Sequence, residues 1–187
     1  AREDIASSVR AAAADWDGPL LVTTADHALL SPESIDAMAD ALEGCDVTFA
    51  LARREAVEAA HPSALRSYLS LRDGAFATCD LYGMAHTRFV DAVDVFRGAR
   101  IGGRESARVR RAIGFIGLAL MKLGVESLSG AVVRASRRMG LRVRAVILPD
   151  GTQAIDVDDD RSYAIVRDLL GDVSRDEQAP DAALAVA

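Results

Sequence analysis

Apolar and polar positions change period several times along the chain, and each change marks an element. Residues 3–15 are alanine-rich and favour a helix, which leads through Asp15-Trp16-Asp17-Gly18 into an apolar run, Pro19-Leu20-Leu21-Val22-Thr23-Thr24-Ala25-Asp26, that reads as a buried strand. Ser31 followed by Pro32 is an N-cap with proline at the first helical position. A helix is therefore expected through Ser34, Ile35, Met38 and Leu42, stopped by Gly44. Asp46 to Ala52 is enriched in β-branched and aromatic residues and reads as a second strand. After the break at His61-Pro62, Arg66 to Arg72 and Ala75 to Met84 look like strands joined by Asp73-Gly74, a strong hairpin signal. Helical spacing returns over His86 to Phe96, breaks from Gly98 to Gly103, and resumes as a basic helix, Arg104 to Ile113, before an apolar run to Leu123. Val125 to Met139 is a helix closed by Gly140, Leu141 to Leu148 a strand, and Ala154 to Asp158 a short strand leading into a last helix that ends near Leu170. Residues 171–187 lack a period and are expected as a mobile tail on one domain spanning 1–170. Alternating strands and helices predict an α/β fold.

Composition narrows the partners. A chain of 187 residues, half of them apolar, is long enough for one well-buried core. A net charge of −6 speaks against a general nucleic-acid binder, which needs a basic surface to displace counterions. The basic residues are arginines apart from Lys122, a skew that favours bidentate recognition of phosphate or carboxylate, and that a GC-rich genome also produces. Cys45 and Cys79 have neither zinc-ligand spacing nor the pattern of a disulfide framework, so a reducing, cytoplasmic setting is the natural reading. No signal-type apolar stretch follows the acidic start, Ala1-Arg2-Glu3-Asp4. The longest apolar stretch, Ile113 to Leu123, falls short of the roughly 20 residues that span a bilayer, so no transmembrane segment is expected.

The candidate chemistry sits at two acidic motifs. Asp26 stands at the carboxyl end of the first strand, before the turn His27-Ala28-Leu29-Leu30. In open α/β sheets that rim is where ligands bind, and an ionised carboxylate there needs a cation or a cluster of donors. Near the other end lies Ile155-Asp156-Val157-Asp158-Asp159-Asp160, where strand alternation sends Asp156 and Asp158 to one side. Two readings stand beside each other: Asp159 or Asp160 caps the next helix with the other carboxylates solvated, or Asp26 and Asp158 converge on one divalent cation. Magnesium accepts a few carboxylates, waters and phosphate oxygens, so two aspartates suffice as the protein's share.

The segment Leu20 to Glu33, with Thr23-Thr24-Ala25-Asp26-His27-Ala28-Leu29-Leu30-Ser31-Pro32-Glu33, resembles the "TTADHPLLTPE"-type motif of MobA-like nucleotidyltransferases. Ile155 to Asp160 is similar to their closing "DVDTPED" motif, and Arg66 to Tyr82 looks like the central hairpin of an uncharacterised bacterial branch. The resemblance implies a Rossmann-like three-layer α/β/α domain of GT-A/nucleotidyltransferase type, with a mixed, mostly parallel sheet and an inserted β-hairpin. It implies a magnesium-dependent enzyme that transfers a nucleoside monophosphate from a nucleoside triphosphate to a phosphorylated small-molecule acceptor, releasing pyrophosphate. Asp26 and Asp158 would be metal ligands, with Asp156 a neighbour. The glycine-rich triphosphate loop that normally opens the family has no counterpart before Asp26, so the first βα unit is expected to be missing; Gly102-Gly103-Arg104 lies between helices and is not that loop. Asp80 stands where related sequences commonly carry Asn, and Asp159-Asp160 replaces Thr-Pro.

Other residues extend the candidate site. His27 either contacts a phosphate or orders its turn by hydrogen bonding, the more usual role for such a residue. Arg66 and Arg72 flank the hairpin and either grip a phosphate or lie on a solvated strand face. Arg100, Arg104, Arg108 and Arg111 partly share a helix side, as an acceptor pocket or as a charged solvent face. The basic-then-apolar stretch 108–124 would suit core packing, a homodimer contact or a membrane surface. Two alternatives remain for the whole chain: a GT-A-type glycosyltransferase, and a catalytically silent nucleotide-binding or assembly domain.

Overall fold

The computed structural model describes residues 5–64, 67–92, 114, 119–120 and 123–177. Among these residues, five strands form one sheet: β1 (Leu20–Thr23), β2 (Val47–Arg53), β3 (Leu69–Leu71), β4 (Gly74–Met84) and β5 (Val143–Leu148). The spatial order is β1-β4-β2-β5, with β3 also paired to β4. β4 runs antiparallel to β1, β2 and β3, while β5 runs parallel to β2, so four strands share a direction and the long hairpin strand opposes them. β1 covers positions 81–84 of β4 and β3 covers 74–76, which leaves 77–80 between them.

Alternation along the central strands builds a core on each face of the sheet. Val47, Phe49 and Leu51 of β2, with Phe76, Tyr82 and Met84 of β4, pack with Ala6 of α1 (Ile5–Ala12) and with Leu128, Ala131 and Ala135 of α4 (Leu128–Met139). The opposite side chains, Ala50, Ala52, Ala77, Cys79 and Leu81, pack with Met38 of α2 (Pro32–Leu42), Val57 of α3 (Arg54–Ala60) and Ile165 and Val166 of α5 (Asp160–Glu177). Large residues thus face one helical layer and mostly small ones face the other, giving three layers, α/β/α. Each large side chain so buried contributes about 1.5–3 kcal/mol.

Local chemistry sets the boundaries. Ser31 accepts a hydrogen bond from the Ser34 N–H and Pro32 opens α2, as expected. Ser127 caps α4 in the same way, so that helix starts at Leu128 rather than Val125, and Gly140 closes it in the left-handed conformation (φ 66°). The predicted helix from His86 begins as a 3-10 turn, Thr87–Phe89, and residues 93–113 lie outside the described set. The last helix runs to Glu177, beyond the expected end near Leu170.

The largest departure concerns 154–158. No strand forms there; a 3-10 turn, Gly151–Ala154, is followed by irregular chain. The reason is where the main-chain donors go. The Ile155 N–H donates to the Thr152 carbonyl, Val157 to the Asp26 carbonyl, and Asp158 and Asp159 both to the Ser162 hydroxyl. These four donors go to turn, loop and cap bonds and not to a strand ladder, and strand alternation does not apply: Asp156 is buried while Asp158 is exposed.

Candidate functional site

β1 ends at Thr23, three residues before Asp26, and the chain turns away from the sheet with the His27 N–H donating to the Thr24 carbonyl (3.3 Å). The register explains why the turn falls there. Thr23 pairs with Leu81, so the next position along β4 is Asp80, which sits in a bulge where pairing to β2 jumps from Phe49↔Tyr82 to Leu51↔Thr78. Asp80 has φ 42°, a left-handed backbone that Asp and Asn tolerate better than most residues. The bulge marks the point where β1 stops and the Asp26 loop begins.

This loop meets the second acidic motif directly. The Val157 N–H donates to the Asp26 carbonyl (3.1 Å), so the main chain of Asp26 touches the residue between Asp156 and Asp158. Asp26 Oδ1 is buried and accepts no hydrogen bond from the described residues, and the same holds for the Thr24 hydroxyl two residues earlier. An ionised oxygen out of water with no donor is costly, and a hard cation is one of the few partners that satisfies it. Among the described residues, no three His, Cys, Asp or Glu side chains form a metal-holding group. Among those residues, then, Asp26, Asp156 and Asp158 do not stand as a ready-made triad, and a pair of carboxylates is the most that they offer a cation.

Asp159 performs the capping role. Its carboxylate accepts from the Ser162 N–H (2.8 Å) and hydroxyl (3.0 Å), while that hydroxyl accepts from the Asp158 and Asp159 N–H groups (2.8 and 2.9 Å). This is a reciprocal cap in which a serine takes the place usually held by Glu or Gln. The backbone and hydroxyl bonds from Ser162 hold the Asp159 carboxyl below the ordinary aspartate range. The cap employs Asp159, while Asp158 just before it and Asp160 at the first position of α5 are exposed.

The remaining sequence candidates divide. His27 is buried, its Nδ1 lying 3.0 Å from the Thr23 hydroxyl, so it orders the turn. Asp80 adjoins the loop, and its Oδ1 accepts from the Tyr82 hydroxyl (2.8 Å). Arg72 is exposed at the far end of the hairpin, where its N–H donates to the Glu126 carbonyl (2.8 Å). Six residues of β4, about 20 Å of strand, separate that turn from Asp80, so the fold does not bring Arg72 to the Asp26 loop. Arg66 and Arg104 lie outside the described residues, as does most of the stretch 108–124.

Sequence reading missed Gln153. Its side chain is fully buried, with Nε2 donating to the Leu29 carbonyl (2.7 Å) and to Asp150 (3.1 Å), and Oε1 accepting from the Ser31 N–H (3.2 Å). The one sequence signal was a polar amide directly before the apolar Ala154-Ile155 pair. Nearby, Arg161 donates to the Ser63 carbonyl (2.9 Å) and the Arg54 guanidinium lies 4.6 Å from the Tyr68 ring centre, tying the loop after α3 to the rim.

A comparison with solved structures finds a likeness to a protein described as a hypothetical transferase from Thermus thermophilus. It has 26% sequence identity and a TM-score of 0.72, over 87% of this chain and 70% of that one. No family model matches the chain, and no curated protein matches it. The likeness agrees with a Rossmann-like α/β/α domain. No helix among the described residues is long and apolar enough to cross a membrane.

Proposed function

We propose that the chain is a transferase of the nucleotidyltransferase type, moving a nucleoside monophosphate from a nucleoside triphosphate to a phosphorylated small-molecule acceptor with release of pyrophosphate. The observation that carries this reading is the hydrogen bond from Val157 to the Asp26 carbonyl, which joins two acidic motifs from opposite ends of the chain at the carboxyl end of β1. The likeness to a protein described as a transferase supports the same class. Asp26 and Asp158 are the proposed holders of magnesium, with Asp156 buried beside them. The buried, undonated Oδ1 of Asp26 fits that role. When bound, the cation supplies stabilisation of the charge that develops on phosphate oxygens.

The chain's own residues then have limited tasks. An acceptor phosphate is largely ionised near neutral pH, its second pKa being about 6, so no general base is required. That is consistent with His27 being engaged by Thr23 rather than poised for proton transfer. The bulge at Asp80 and the cap at Asp159 keep the two acidic segments at the sheet rim, and substrate specificity falls to side chains around it.

The test is pyrophosphate release across a panel of nucleoside triphosphates and phosphorylated acceptors, with and without magnesium. Asp26→Ala and Asp158→Asn are expected to lower the rate on the order of 100-fold or more, the scale of losing a group that stabilises transition-state charge. Undiminished release in both variants, or sugar transfer from a nucleotide sugar with release of nucleoside diphosphate, would overturn the assignment. Calorimetry adds a binding readout: Asp26→Ala should abolish the magnesium-dependent part of triphosphate binding.

A further inference from the structure

The two segments that carry the acidic motifs touch without forming a sheet ladder, so something else must fix their spacing. The contacts run in opposite senses along the two segments: Asp26 meets Val157, and further along the loop Leu29 and Ser31 meet Gln153. At the first rung the link is main chain to main chain. At the second it is the carboxamide of Gln153, which presents a donor to the Leu29 carbonyl and an acceptor to the Ser31 N–H, as a peptide group of a neighbouring strand would. Its other contacts, to Asp150 Oδ2 and the Thr152 hydroxyl, lock the amide orientation, and the side chain is completely shielded from water. Asp150 in turn accepts from the Thr152 N–H (2.9 Å) and hydroxyl (2.6 Å), which fixes the turn that carries Gln153.

We propose that Gln153 is a positioning residue of the candidate site, whose carboxamide clamps the Asp26 loop against residues 155–158 and thereby sets how tightly the site holds a divalent cation. The inference rests on the reading of Asp26 and Asp158 as cation ligands. The chemistry needs an amide. Glu at 153 has no donor for Leu29 and places a carboxylate against Asp150; Met fills the space but leaves the Leu29 carbonyl and the Ser31 N–H without a partner.

Manganese binding, measured by electron paramagnetic resonance, separates the roles. Supporting groups behind metal ligands typically change affinity 10–100-fold, so Gln153→Met is expected to weaken binding about tenfold while the far-UV circular dichroism stays as in the wild type. Gln153→Glu sharpens the sign: added negative charge alone would tighten cation binding, whereas a broken clamp weakens it. A measurement on the unaltered protein avoids any variant that fails to fold. The side-chain amide resonances of Gln153 should shift as magnesium is titrated in, together with the backbone amide of Val157. Manganese affinity within twofold of wild type in a folded Gln153→Met, or immobile Gln153 amide resonances at saturating magnesium, overturns the proposal. If Asp26→Ala leaves manganese affinity unchanged, the cation reading itself fails and the clamp falls with it; loss of binding in Asp26→Ala with none in Gln153→Met overturns the clamp alone.

Discussion

Asp80 shows how one backbone angle marks a site. At φ 42° most L-residues crowd Cβ against the following carbonyl at roughly 1–2 kcal/mol, a strain that Asp and Asn relieve by local hydrogen bonding. Its carboxylate also accepts from the Tyr82 hydroxyl, a bond that truncation at position 80 removes. Asp80→Asn keeps both features and should change unfolding free energy by less than about 0.5 kcal/mol. Asp80→Ala loses both and should cost about 1–3 kcal/mol in a denaturant titration. Equal stability of the two variants would mean that the bulge does not depend on this side chain. The hairpin around Asp80 was legible in the sequence from Asp73-Gly74, but the left-handed residue within it was not. An Asp inside a β-like run reads as an ordinary polar strand position until the pairing register exposes the bulge.

At the scale of elements, the well-read ones were those whose ends are written in local side chains. Ser31-Pro32 and Gly140 ended or began helices where expected, because a cap needs only its own turn. The failure at 154–158 had a tertiary cause: its apolar-acidic alternation looks like a strand, yet its donors go to Thr152, Asp26 and Ser162. The turn just before it depends on contact between elements too. A Cβ on Gly151 would lie 2.1 Å from the Ala56 carbonyl oxygen of α3, backbone that cannot step aside. Gly151→Ala should therefore push the 151–154 turn off α3 and destabilise by about 1–3 kcal/mol, the usual scale of overpacking. Since that turn carries Gln153, the same variant should accelerate amide exchange at Val157, whereas Ser127→Ala, a cap loss of about 1 kcal/mol at the far helix α4, should leave Val157 protection unaffected apart from global unfolding.

For the whole molecule, the sheet works as a frame that brings distant segments to one rim, and its opposite end has to stay closed for the frame to hold. Asp46, just before β2, performs that closure. Its carboxylate accepts from the Arg142 N–H (2.7 Å) and guanidinium (2.8 Å), its N–H donates to the Arg142 carbonyl, and its own carbonyl accepts from Ala85 just past β4. Three strands are thus pinned at one point. The hydrogen bonds from Arg142, side chain first and backbone second, hold the Asp46 carboxyl below the ordinary aspartate range. A carboxyl whose folded pKa lies below its unfolded value of about 3.9 binds fewer protons in the native state, so its stabilisation is present above that unfolded value and is lost as the pH falls through the folded one. Asp46→Asn, which cannot ionise, should be less stable than the wild type at neutral pH, and the gap should narrow steadily as urea titrations are moved below about pH 4. A gap that stays constant from neutral to strongly acidic pH would show that Asp46 acts through geometry alone, with the charge on its carboxylate contributing nothing to holding the strands together.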